Sequence, residues 1–260
     1  MKKNISNFLP NRLSVIAVII KKMENKFLNS PKSFFFLTLI FLLGWIFYEL
    51  SSFDLLLQDK LYNFETCKWV VDRNEPLARA IFYKGIKWAL AFFGIGSFIL
   101  FILGLFKGKP RRYQFNTLYF FLCMAIIPLT ISSSKSLTNV YCPWDLARYG
   151  GDVPYVKVYD SYPESFRPKK IRPECFPAGH ASGGFALFSL FFIAKNRRQR
   201  FLSLIPPLVF GSIMAFYQMA KGAHFLGHNI TTMLLAFLMA HGIYLTLQMI
   251  FAKYKVKKTG

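Results

Sequence analysis

The stretch IKWALAFFGIGSFILFILGLF, residues 86–106, decides the fold class, because it runs for 21 residues with Lys87 as its one charge. A helix of that length rises about 30 Å, the thickness of a bilayer's hydrocarbon core. Lys107, Lys109, Arg111 and Arg112 follow it directly. An apolar run closed by a basic cluster reads as a membrane span ending on the cytosolic side.

Working outward, five more apolar stretches read the same way: Phe34–Leu50, Thr117–Ile131, Ala181–Ala194, Phe201–Ala220 and Thr231–Phe251. Thr117–Ile131 and Ala181–Ala194 are short for a bilayer and are expected to extend into their polar flanks. The organisation expected is a basic arm over 1–33, a six-helix membrane domain over 34–251, and a basic tail over 252–260. The arm either lies on the membrane surface or is a solvated tail. Apolar residues make up 54% of the chain and charged ones only 17%, against roughly 25% in a soluble domain. Disorder is excluded by that hydrophobicity, and a small disulfide scaffold by four cysteines in 260 residues.

The net charge of +21 has a topological explanation. Basic clusters follow the second, fourth and sixth stretches, and seven Lys or Arg precede the first. Eleven of the twelve acids, all but Glu24, fall on the other side or at its border. The positive-inside bias then puts both termini in the cytosol and turns loops 51–79, 132–180 and 221–230 outward. No nucleic-acid recognition motif accompanies the charge, so nucleic acid is not an expected partner. Ionisable residues avoid the span centres except for His241, which argues against an ion pathway and reads as a packing histidine. Pro206 and Pro207 are expected to kink the fifth span, and Cys123 to be inert packing.

Three outward clusters carry the chemistry. Lys135-Ser-Leu-Thr-Asn-Val-Tyr-Cys142-Pro143-Trp144-Asp145 follows the third span, and Cys175-Phe-Pro-Ala178-Gly179-His180-Ala-Ser182 opens the fourth. Gln218-Met-Ala-Lys221-Gly-Ala-His224-Phe-Leu-Gly-His228 joins the fifth to the sixth. His180 lies at a predicted helix start, where free N–H groups attract anions, and Gly179 permits close approach of a phosphoryl group. Lys135 and Lys221 can supply charge to phosphate oxygens, and two histidines can divide the work of nucleophile and general acid. A His-x3-His pair without a carboxylate is an incomplete metal site, so no metal is expected.

The order and spacing of these clusters resemble the phosphatidic acid phosphatase type 2 superfamily, in particular bacterial members acting on lipid phosphates. The resemblance implies an all-α, six-transmembrane-helix bundle with its active site at the extracytoplasmic face of a bacterial cytoplasmic membrane. It implies a phosphatase for a lipid phosphate or pyrophosphate of the lipid A, undecaprenyl or phosphatidylglycerol phosphate type, with no cofactor. His224 would be the nucleophile that forms a phosphohistidine and His180 the general acid. Lys135, Gly179, Gln218 and Lys221 would bind phosphate.

Four positions depart from the family's pattern. Cys142 stands where the first motif usually has Arg, and Ala178 where the second has Ser. His228 replaces the Asp that orients the nucleophile, and a hydrogen bond from His228 to His224 one helical turn away is expected to take over that role. Gln218 replaces an Arg that clamps the phosphate, and Lys221, on nearly the same helical face, is expected to substitute. Transfer of phosphate to a second lipid, or a weakened lipid-phosphate-binding site, stays open on these residues, as does the oligomeric state. Cys142 and Cys175 either form a disulfide between the first two motifs or are free thiols. Loop 152–174, with Tyr155, Tyr159, Tyr162, Arg167, Lys169, Lys170 and Arg172, either holds a headgroup or packs at the interface. Asp145 and Asp152 are expected to position Arg148 or Lys135.

Overall fold

The computed structural model describes residues 30–138, 140–167 and 173–257. Arm residues 1–29, together with Lys169, Lys170 and Arg172, lie outside the described residues. The described chain is mostly helical, and each of the six apolar stretches falls in helix. Four helices are long and apolar enough to cross a membrane, and two further apolar helices are shorter.

Helix α1 spans Pro31–Glu49, started by the Ser30 hydroxyl accepting from Lys32 N–H and by Pro31 at its first position. A short α2 follows at Phe53–Asp59. Helix α3, Pro76–Phe106, begins ten residues before the apolar run does. The reason is local: the Glu75 carboxylate accepts from the N–H groups of Leu77 and Ala78, and Pro76 sits at the first position. Within it, Ala80–Gly85 winds as a π-helix.

Helix α4, Arg111–Ser134, extends into its polar flanks as expected. Helix α5, Ser182–Ile193, does not, and stays shorter than a bilayer span. Its Ala186–Phe188 turn is 3₁₀, and Ala194 leaves the helix with ψ at 140°. The fifth stretch begins with α6, Arg197–Leu202, and continues as α7, Ile205–Ala220. Pro206 and Pro207 lie in the first turn of α7, so they start a helix rather than kink one. Helix α8, Leu226–Lys257, carries the last stretch and continues past residue 252. The expectation of an all-α chain needs one correction, because a two-residue antiparallel ribbon pairs β1, Tyr62–Asn63, with β2, Lys68–Trp69.

The core is built on one stripe of α4. Tyr119, Cys123, Ile127 and Ile131 recur every four residues and are all buried. They pack on Phe185, Phe188 and Phe192 of α5, Met214 of α7, and Ala236 and Ala240 of α8. Lipid supplies little hydrophobic drive between helices, so close backbone approach matters more. At Gly184 a Cβ would come within 2.6 Å of Gly211 N, so α5 and α7 meet at two glycines. His241 is a buried packing residue, stacked on Phe192 at 5.0 Å with Nε2 3.3 Å from Ser33 Oγ.

A second cluster packs among the loops at one end of the bundle: Tyr62, Tyr141, Leu146, Tyr149, Val153 and Phe225. Tyr155 packs on Phe225 and Tyr162 on Tyr141, so these two aromatics of the loop serve this cap, whereas Tyr159 packs on Trp45 of α1. Arg148 pairs with Asp59 through two nitrogens at 2.8 and 2.6 Å, not with Asp145 or Asp152. Asp145 instead accepts from Cys142 N–H at 3.3 Å.

Candidate active site

The three sequence clusters converge at the end of the bundle where α4 and α7 finish and α5 and α8 begin. Lys135 follows directly on the last turn of α4. The turn of Gly179 and His180 leads into α5, and a side chain at Gly179 would have to push the end of Lys135 aside. A Cβ there would lie 2.9 Å from Lys135 Cε, 3.0 Å from Ser132 Oγ and 3.3 Å from Lys135 Nζ. Glycine is thus what lets the second motif's backbone touch the lysine of the first.

His180 Nδ1 lies 3.2 Å from His224 Nε2. His224 precedes α8 in the loop from Lys221 to Phe225, and its other nitrogen, Nδ1, faces Cys175 Sγ at 3.5 Å. Cys175 is disulfide-bonded to Cys142, which ties the first motif to the second beside the His224 ring. His224 itself is 2% exposed. His180 stands between it and a cavity of about 270 Å³.

That cavity has two ends. Lys87, Ser132, Lys135, Gly179 and His180 line one, and Leu90, Ala91, Met124, Pro128 and Met214 line the other. Leu90 and Ala91 sit one turn along α3 from Lys87, as Pro128 does along α4 from Ser132, so polarity changes down the helices. Tyr83, from the π-helical turn, places its ring 5.0 Å from that of His180. Burial, then the charges of Lys135, Lys221 and Lys87, pushes His180 down to about 3. Burial likewise holds His224 well below its ordinary value, helped by His180, Lys135 and His228. Both rings are therefore neutral near pH 7, and a single proton serves the His180–His224 contact.

The loop carrying His224 is held from several sides. Gln58 of α2 donates to Met219 O at 2.9 Å, Val71 N–H to Ala220 O at 3.1 Å, and Trp144 N–H to Gly222 O at 3.0 Å. Beyond it, Asp54 accepts from Gly227 N–H at 2.9 Å and from the Tyr48 hydroxyl, fixing the start of α8. A carboxylate at a helix N-terminus is favourably placed for the dipole.

Several expected partnerships are absent among the described residues. His228 makes no hydrogen bond to His224, because His224 precedes the helix rather than sitting a turn back within it. Their ring centroids are 5.8 Å apart, T-shaped, and His228 Nδ1 has no hydrogen-bond partner. Lys221 ends α7 and rests its ammonium over the Tyr217 ring at 4.9 Å, off the cavity wall. Gln218 is 1% exposed, one turn beyond Met214, and neither amide atom has a partner. Gly179 and Lys135 do meet. Lys87 and Tyr83 were missed, although the lone charge in an otherwise apolar run was a signal that could have singled out Lys87.

Residues 116–252 match the family model of the PAP2 superfamily, and the match spans more than half the chain. The chain is a membrane protein belonging to the PAP2 superfamily, whose members are generally phosphatases. No curated protein and no solved structure matches it.

Proposed function

We propose that the protein removes phosphate from a lipid phosphate or pyrophosphate through a phosphohistidine on His224, at the extracytoplasmic face of a six-span bundle. The observation that carries this reading is the two-ended cavity, with cations and His180 at one end and an apolar wall at the other. A phosphorylated lipid has that same division between headgroup and chain.

His180 first rotates off His224, which exposes Nε2 to the cavity. The His224 Nε2 lone pair attacks phosphorus, and the phosphorus–oxygen bond to the lipid breaks. Lys135, Lys87 and the Gly179 N–H bind the phosphoryl oxygens, and the Gln218 amide completes the set. The negative charge of the bound phosphate lets His180 take up a second proton from solvent, and this imidazolium passes it to the leaving oxygen and returns to neutral imidazole. Water then attacks phosphorus, its proton returns to His180, and the nitrogen–phosphorus bond breaks to release phosphate. Gln218 is neutral where the family has Arg, which favours a slower site as the second reading.

The test is phosphate release by detergent-purified protein from a panel of undecaprenyl pyrophosphate, phosphatidylglycerol phosphate, phosphatidic acid and lipid A, with His224→Ala as control. Turnover that disappears in the variant supports the reading. Equal release by both proteins, or none from either while the protein stays folded, overturns it.

A further inference from the structure

Cys175, His224 and His228 form one buried cluster in which each side chain offers a ligand atom, all within 4.8 Å of one another. The Cys175 Sγ to His224 Nδ1 distance is 3.5 Å. A tetrahedral zinc with Zn–S of about 2.3 Å and Zn–N of about 2.0 Å separates sulfur from nitrogen by about 3.5 Å. That edge is already at ligand spacing, and His228 offers a ring nitrogen to the same cluster. What keeps the set from acting as a site is covalent: zinc takes a thiolate, and Cys175 is bonded to Cys142. Two neutral imidazoles beside the Lys135 ammonium are a poor cation site, and the thiolate's negative charge would offset that ammonium.

We propose that reduction of the Cys142–Cys175 disulfide turns this cluster into a Cys-His-His site for zinc or a similarly borderline-soft divalent cation, and that the bound metal stops turnover. A dithiol supplies two electrons and two protons; the sulfur–sulfur bond breaks to give two thiols, and the dithiol leaves as its own disulfide. Cys175 then releases its proton to solvent as Sγ, His224 Nδ1 and a His228 nitrogen bond the metal, with water in the fourth position. Coordination through Nδ1 forces the His224 proton onto Nε2, the atom that must offer a lone pair to phosphorus. The inhibition rests on the reading of His224 as nucleophile, but the metal site does not.

Full-length, detergent-purified protein tests both parts. Cys142→Ala leaves Cys175 a free thiol without any reductant, and Cys142→Ala/Cys175→Ala removes the sulfur while keeping both imidazoles. With cobalt(II) as probe, Cys142→Ala is expected to bind one equivalent with a sulfur-to-cobalt charge-transfer band. The double variant is expected to bind at least about a hundredfold more weakly, without that band. Wild type should gain the band only after treatment with a phosphine reductant, a route that does not depend on how the variants fold. Zinc should then abolish phosphate release by reduced wild type and leave the oxidised protein unaffected. Equal cobalt binding by the single and double variants, or no band in reduced wild type, overturns the site. A band with undiminished turnover in zinc overturns the inhibition. If no form of the protein releases phosphate, the proposed function fails, and the cobalt band still decides the metal site.

Discussion

The side-chain amide of Gln58 donates to the backbone carbonyl of Met219 across 2.9 Å, with Gln58 wholly buried. It thereby fastens the end of α7 to the cap, five residues before His224. Gln58→Leu keeps the volume and removes this bond, while Met219 O still accepts from Gly222 N–H, so the cost is about 1 kcal/mol. Thermal unfolding in detergent should occur at a lower temperature, and kcat should fall severalfold with little change in KM. An unchanged midpoint would remove Gln58 from the support of the loop.

Gly222 has φ at +75°, and a Cβ there would meet the Trp69 ring at 2.4 Å. Gly222→Ala carries about 1 kcal/mol of left-handed backbone strain and must also displace the indole. Adding Trp69→Ala creates space but leaves the backbone strain, so the second change should recover part of the lost activity. Additive losses in the double variant would show that the two positions do not touch in solution.

His180 contributes to the pH dependence of stability, alongside His224 and His228, which burial also keeps neutral in the folded state. The folded value of His180, about 3, lies below the ordinary 6.5, so only the unfolded chain takes up this proton on moderate acidification. The neutral native ring costs nothing above pH 6.5, and stability falls as pH drops from 6.5 toward 3. The slope approaches about 1.4 kcal/mol per pH unit, or about 2 kcal/mol by pH 5. Unfolding midpoints at pH 7 and pH 5 should therefore differ, and His180→Asn should narrow the gap. A gap that the variant leaves as wide assigns the acid sensitivity elsewhere.

Lys135 and Lys87 line the same end of the cavity, from α4 and α3. Lys135→Met is expected to lower kcat/KM about a hundredfold, the scale of removing one donor to a developing anion. Lys87→Met should cost about tenfold, since a second cation remains nearby. Steady-state phosphate release on the best lipid of the panel measures both. Wild-type rates in Lys87→Met would leave the lysine as a mere anchor at the membrane surface.

For Gln218, Gln218→Leu separates phosphate binding from packing. Loss of the amide should reduce kcat about tenfold if it grips the phosphoryl group. A faster or equal rate would mean that the amide plays no part.

The helices were legible because apolar runs bounded by basic clusters need no tertiary information. Their starts were less so: Glu75 and Pro76 open α3 in a polar stretch that hydropathy alone passes over. Spacing singled out Lys135, Gly179, His180 and His224 as candidates, and the fold gathers them at one end of the bundle, but the partner of each histidine was not readable. Whether His228 turns toward His224 depends on where α8 begins, and that is set by Asp54 and Tyr48, well over a hundred residues upstream. Lys221 was assigned to the phosphate from helical periodicity, yet α7 ends at Ala220 and the Tyr217 ring takes its ammonium.

The matched segment, 116–252, holds every motif residue, while Asp54, Gln58, Trp69, Val71, Tyr83 and Lys87 all precede it. The three motifs and most of the jig that sets their posture are thus written in different stretches of one gene product. A graft of the later stretch onto another cap would carry the motif alphabet without Lys87 and without its grammar. Divergence in the first hundred residues can therefore retune the rate while leaving every signature residue in place.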